Sequence, residues 1–254
     1  MASILENKNY DEVSVFLPEN LLREARRQKN IRNCNIPQIC ILDPDGDLAN
    51  YLQKKGDAKK NACWACYHST LFTFQIDEIE IGIIPCIVGA SYAVLVAEQL
   101  FVSGCRYLIS VTSSGIINQP VTNKHFALIT EAIRDEGTSY HYLPAETPAT
   151  IGDKLFEKLN MIPGSLWFNA KSWTTDAPYR ETQRSISAMQ AQGVICVEME
   201  AAALYAFAKA KDKNVVCFAH LTNTMAQSEG DFEKGEHFGS LRMIELIEQV
   251  IKNL

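Results

Sequence analysis

Short apolar runs of strand length alternate with stretches of helical period along most of the chain. The first run covers 38–42 and the first helix-like stretch 48–55. Further strands are predicted at 71–76 and 80–88, the second leading through Gly89-Ala-Ser91 into an amphipathic helix over 92–102. The segments 106–115, 126–132, 166–169 and 215–221 also read as strands, and 151–159, 183–190 and 239–253 as helices. Between them, a β-rich run starting at Gly193 passes at Met199 into an Ala-rich helix reaching Ala210. This helix lacks a wide polar face, so it should be buried on most sides. Regular alternation without internal repeat or low-complexity linker predicts a single-domain α/β sandwich over 36–254. Residues 1–35 are polar, carry the basic patch Arg23-Glu-Ala-Arg-Arg-Gln-Lys29, and form an N-terminal extension whose helix face reads as solvated.

Composition narrows this picture. A chain of 254 residues with 47% hydrophobic residues can bury a large core, and a net charge of -6 argues against nonspecific nucleic-acid binding while leaving a small anionic ligand open. No apolar run approaches the roughly 18 residues of a membrane span, and the first residues lack a basic leader followed by an apolar stretch. A cytoplasmic protein without membrane or nucleic-acid partners is therefore expected. Most of the eight cysteines sit in apolar runs, the usage of reduced, buried thiols rather than of a disulfide framework. Cys63-Trp-Ala-Cys66 has half-site spacing, but no second pair completes a zinc site, so no metal is expected and the pair reads as structural thiols.

Candidate chemistry clusters at predicted strand ends. Glu198 and Glu200 flank the start of the buried helix, and Lys209 lies too far along to satisfy both. They either complement the helix dipole or accept hydrogen bonds from vicinal sugar hydroxyls, with Met199 as an apolar floor. Asp43-Pro-Asp-Gly-Asp47 follows the first strand; it is a ligand-facing acidic turn or a plain turn and cap. The Gly89-Ala-Ser91 turn and Thr112-Ser-Ser-Gly115 offer backbone N–H groups and hydroxyls, with Gly115 permitting a close backbone approach. The stretch Trp173-Thr-Thr-Asp-Ala-Pro-Tyr-Arg-Glu-Thr182 reads as a loop equipped to stack a flat heterocycle and bind its edge.

Together, Val197-Glu-Met-Glu-Ala-Ala-Ala203, the 173–182 loop and the Ser-Ser-Gly turn resemble the nucleoside phosphorylase superfamily, closest to its uridine phosphorylase-like branch, from about Cys40 onward. The resemblance implies a three-layer α/β/α sandwich with a central twisted mixed sheet, assembled as a homodimer or a trimer of dimers. It implies cleavage of the N-glycosidic bond of a nucleoside, uridine-like or related, with phosphate as possible co-substrate and no cofactor. Carried onto this chain, Glu198, Met199 and Glu200 would hold ribose. Ser91, Thr112, Ser113, Ser114 and Gly115 would line the anion side, Trp173 and Arg180 would face the base, and His68 would reach a neighbouring subunit. Asn223 falls where relatives contact the base, and where purine-specific ones often carry an acid.

Two departures stand out. Relatives that use phosphate usually carry an arginine in the first turn and another before the hydroxyl cluster; this chain has Gly46 and Ser110. Losing two charge-assisted contacts, at about 1.5–3 kcal/mol each, weakens phosphate binding unless Arg106 or another subunit's arginine substitutes. Three expectations follow: transfer of ribose to phosphate; a nucleosidase in which Asp43 or Asp45 orients water; or a nucleoside-binding protein without catalysis.

Overall fold

The apolar runs become strands wherever β-branched residues can be covered on both faces. In the computed structural model, which describes residues 3–120, 122–225 and 229–254, the polar N-terminal segment carries one helix, α1 (Pro18–Lys29). Strand β1 (Ile39–Asp43) and helix α2 (Asp47–Lys55) follow, then β2 (Lys59–Lys60), β3 (Phe72–Ile76), β4 (Ile79–Pro85), α3 (Ala90–Val102) and β5 (Tyr107–Ile116). The second half supplies β6 (Phe126–Asp135), β7 (Ala149–Thr150), α4 (Asp153–Asn160), β8 (Trp167–Thr175), α5 (Gln183–Ala191), β9 (Cys196–Glu198), α6 (Ala201–Lys211), β10 (Asn214–Asn223) and α7 (Ser240–Ile251).

All described strands join one mixed sheet, in agreement with the predicted fold class. Strands β4, β1, β5 and β10 run parallel in that order, so their carboxyl ends come to one edge. The sheet also closes on itself. Strand β10 pairs antiparallel with β6, β6 parallel with β8, β8 parallel with β9, and β9 antiparallel with β5, a ring that an alternation of apolar runs does not reveal.

Helix α6 is buried from Ala201 to Ala208, as its missing polar face predicts, and packs on α3. Burial rather than propensity holds it: Phe207 and Leu204 each contribute roughly 1.5–3 kcal/mol. Tyr205 brings a hydroxyl into the same core without leaving it unpaired, donating to the Ile129 carbonyl (2.5 Å) and accepting from the Cys217 N–H (3.0 Å). One side chain thus ties α6 to β6 and β10.

Two expectations need correction. Strand β8 continues through Trp173-Thr-Thr175, so the first part of the expected 173–182 loop is core: the pairing of β8 with β6 extends to Thr175 and that with β9 to Thr174. The thiols are not all reduced, because Cys34 and Cys63 form a disulfide with their Cα atoms 5.4 Å apart. Cys34 lies in the polar run Asn33-Cys-Asn35, where burial in an apolar strand gives no guidance. Cys40, Cys66, Cys105, Cys196 and Cys217 are free and buried as expected, and Cys86 is free and exposed. No helix among the described residues is long and apolar enough to cross a membrane.

Candidate active site

A cavity of about 790 Å³ opens where the carboxyl ends of β1, β4, β5 and β10 meet the start of α6, a volume suited to a small organic ligand. Glu200, the residue before α6, is buried at its floor. One carboxylate oxygen, Oε1, accepts the Gly89 N–H at 2.7 Å. Gly89 presents that N–H from φ +95°, a conformation open to glycine. The other oxygen, Oε2, is buried without a hydrogen-bond partner; the neighbouring Thr112 hydroxyl donates instead to the Ser113 carbonyl, at 3.3 Å. Burial, reinforced by the charge of Glu198, pushes the Glu200 carboxyl up to about 8. A lone buried acceptor in a cavity wall is a place for a ligand's donor.

Glu198 has a different environment. Its Oε2 accepts the N–H groups of Glu200 and Ala201, both at 2.7 Å, and its Oε1 accepts the hydroxyls of Ser172 (3.1 Å) and Thr174 (2.5 Å). It fastens the start of α6 to β8, and burial raises its pKa while these four donors pull the other way. Although Glu198 borders the cavity, the structure assigns its oxygens to the fold. Met199 lines the cavity between the two acids.

The acidic turn after β1 divides similarly. Asp43 is fully buried, accepting N–H groups from Gly46 (3.2 Å) and Ala49 (2.9 Å) at the start of α2, and does not line the cavity. Burial pushes it up to about 7 against the pull of those N–H groups. Asp45 does line the cavity. Its Oδ2 accepts the Ser113 N–H (3.0 Å), its Oδ1 accepts the Ser113 hydroxyl (2.9 Å), and Lys234 Nζ lies 3.3 Å from Oδ2 and 2.7 Å from Asp47. Both Ser113 donors that would meet an incoming anion are therefore engaged by a carboxylate.

Of the remaining candidates, Thr112, Ser113, Ser114 and Gly115 border the cavity, but the Ser114 hydroxyl is directed to the His220 carbonyl (3.1 Å). Gly115 does accommodate a close approach: a Cβ there would lie 2.6 Å from Met225 Sδ and 3.2 Å from Val197. Asn223 borders it too, with its amide donating to Thr222 and Ser114 and accepting the Met225 N–H at 2.9 Å. Ser91 is exposed at the start of α3 and does not line the cavity; Val88 and Gly89 are the residues of that turn that take part. Trp173 is buried with Ile117, Val194 and Val197, its Nε1 donating to Asp135 (2.9 Å), so it does not face a base. Arg180 is exposed and outside the cavity wall. His68 is exposed and borders no part of this chain's cavity. Arg106 precedes β5 at the end away from Ser113, and among the described residues no arginine lines the cavity.

Sequence reasoning missed Lys234, Glu181, Gln183, Ile186, Met225 and Phe232. Glu181 lies in the 173–182 stretch beside the more conspicuous Arg180. Lys234 lies in the irregular run Gly230-Asp-Phe-Glu-Lys-Gly235, where no periodicity marks it.

A model of the phosphorylase superfamily matches residues 38–252. The chain belongs to this superfamily. Among solved structures, this superfamily member is similar to uridine phosphorylase from Vibrio fischeri ES114, with a TM-score of 0.71 at 18% identity, covering 85% of this chain and 93% of that one. It is equally similar to purine nucleoside phosphorylase from Toxoplasma gondii in complex with immucillin-H, with a TM-score of 0.71 at 15% identity, covering 85% and 90%. At such identities the likeness is one of fold, and it does not separate the two kinds of relative. No curated protein matches the sequence.

Proposed function

We propose that this superfamily member cleaves the N-glycosidic bond of a nucleoside, with water as the acceptor of the ribosyl group. The observation that carries the choice of water is the engagement of Ser113 by Asp45. A phosphate at Ser113 would have to displace one carboxylate and sit near a second, Asp47, without the two arginines that relatives supply. Like charges about 4 Å apart repel by roughly 4 kcal/mol at the dielectric of a protein surface. A water molecule meets no such penalty beside Asp45, whose oxygens are fixed by Ser113 and Lys234 and keep further lone pairs for its proton.

In this reading the ribose hydroxyls hydrogen-bond to Glu200 at its open Oε2, donating to it once it is a carboxylate, and Met199 packs against the sugar. Anchoring the ribose holds it as C1′ becomes oxocarbenium-like, while Asp45 takes the proton of the attacking water. A second reading retains phosphate: the Asp45 side chain is 30% exposed, and its rotation outward would free Ser113 and Lys234 for an anion. Assembly as a homodimer or trimer of dimers, with His68 reaching a neighbour, belongs to the same proposal. Cytoplasmic placement, expected from the lack of a leader-like or membrane-spanning run and from the cysteine usage, belongs to the same proposal, although the Cys34–Cys63 bond does not support a reducing compartment.

The test is a nucleoside panel with and without phosphate, following free base together with ribose or ribose 1-phosphate. Base and free ribose at a rate independent of phosphate are expected. Phosphate-dependent release with ribose 1-phosphate would establish the second reading. Tight binding without release would identify a nucleoside-binding protein, and no binding of any riboside would remove the proposal altogether.

A further inference from the structure

The cavity wall has an apolar sector that the ribose chemistry does not use. Ile186, Val197 and Met225 line it, and they belong to a small hydrophobic cluster separate from the main core. A flat heterocycle fits this sector, while the sugar's hydroxyls are drawn to Glu200 on the floor. Glu181 and Gln183 supply polar edges from the same segment. The Glu181 carboxyl is half-buried and forms no hydrogen bond or ion pair among the described residues, although Arg180 and Arg184 are close in sequence; both arginines are exposed. Its backbone N–H bonds to the Pro178 carbonyl (3.4 Å), which holds it in the turn leading to α5. Of the other acids of the wall, Asp45 is engaged by Ser113 and Lys234 and Glu198 by four donors, while Glu200, bonded to Gly89 through one oxygen, turns its open one to the sugar at the floor.

We propose that Glu181 is the general acid that protonates the departing base. This rests on the reading of the cavity as a nucleoside-cleaving site, and it holds for either acceptor. Burial alone pushes the Glu181 carboxyl up to about 7, so a substantial fraction carries the proton near neutrality. Asn223, an amide, cannot supply that proton. As the C1′–N bond breaks, its electron pair goes to the base, and a ring nitrogen or carbonyl oxygen of the base takes the Glu181 proton. The water oxygen bonds to C1′ and gives its proton to Asp45. The products are a free sugar and a neutral base, and proton exchange with solvent returns Glu181 to the acid and Asp45 to the carboxylate. The substrate class implied is a nucleoside whose base leaves as a poor anion and carries an acceptor on the edge facing Glu181.

The test compares leaving groups in the wild type and Glu181→Gln. For ordinary purine and pyrimidine nucleosides the variant should lose roughly 10²–10⁴-fold in kcat/KM. For p-nitrophenyl β-D-ribofuranoside and nicotinamide riboside, whose leaving groups depart without protonation, it should stay within about threefold. Equal losses on both substrate kinds, or an unchanged rate on nucleosides, would overturn the role of Glu181 while leaving the nucleoside-cleaving reading in place. A wild type that cleaves nucleosides but neither activated riboside would overturn it too, since a site limited by departure of the base must cleave the better leaving groups. A wild type that cleaves no riboside of either kind would instead remove the functional reading, and this proposal with it. Matching thermal unfolding of the two proteins guards against a misfolded variant.

Discussion

Two acidic turns feed the cavity, one after β1 and one after β9, and in each the acids two residues apart have separate tasks. Asp43 and Glu198, the first of each pair, accept N–H groups at the start of the following helix and leave no free face for a ligand. Asp45 and Glu200, the second of each pair, border the cavity. The second acids differ in turn. Asp45 is partly exposed and held by Ser113 and Lys234, whereas Glu200 is buried with one oxygen bonded to Gly89 and the other without a partner. A carboxylate oriented by protein donors suits proton transfer with water; a buried one with an open acceptor suits a ligand that brings its own donors. The lesson is that the position of a carboxylate in a motif says less about its role than the count of donors already directed at it.

The largest effect should come from the cavity-facing pair. Asp45→Asn and Glu200→Gln are each expected to lower kcat/KM for the best nucleoside by roughly 10²–10⁴-fold, with folding retained. If Asp45→Asn instead gained phosphate-dependent release of ribose 1-phosphate, Asp45 would be a plug in an anion site rather than a base. The helix-fastening pair should act on stability. Glu198→Ala leaves two hydroxyls and two N–H groups of a buried site without their acceptor and should cost about 3–5 kcal/mol in denaturant unfolding, whereas Asp43→Ala, which removes one cap, should cost about 1–2 kcal/mol. A Glu198→Ala protein of unchanged stability would erase the distinction between the two kinds of acid.

A smaller effect separates Glu200 by pH. Its carboxyl titrates near 8 in the folded chain against 4.5 ordinarily, so between those values the native state holds a proton that the unfolded chain has lost. Stability therefore falls as pH rises through that window. The groups facing it are the Glu198 carboxyl, the Thr112 hydroxyl and the backbone N–H groups of Gly89 and Met199, and none of these is a cation. Glu200→Gln should raise stability by about 1 kcal/mol or more at pH 8 and change it little at pH 4. A gain that did not vary with pH would show that the charge at Glu200 is not what destabilises the native state. Least of all, Arg180→Ala should move stability by no more than about 0.5 kcal/mol, and Trp173→Phe should cost about 1 kcal/mol through its bond to Asp135 while leaving turnover within about twofold. A large loss of turnover in either would return that residue to the site.

Much of this is legible in the sequence. The change from strand to helical period placed β1, β4, β5 and β10 within a few residues, and the absence of a polar face on 201–208 foretold burial of α6. The acidic turns and the Thr112-Ser-Ser-Gly115 cluster were visible because they interrupt apolar runs at strand ends. Trp173 was misread because aromatic and hydroxyl residues serve a ligand loop and a strand interior equally well; pairing with β9 decided it. Cys34 and Cys63 were misread because a disulfide depends on separation in space.

The sequence by itself determined the alternating α/β architecture, the buried alanine-rich helix and the presence of acid pairs where parallel strands end, since periodicity and turn chemistry are local properties. Only the tertiary structure decided which acid of each pair keeps a face available to a ligand. The donors that settle it come from afar: Ser113 lies 68 residues from Asp45, Gly89 lies 111 from Glu200, and Lys234 lies 187 from Asp47. No local pattern encodes those distances, because hydrogen bonds form between groups that the closed sheet brings together, whatever their separation along the chain.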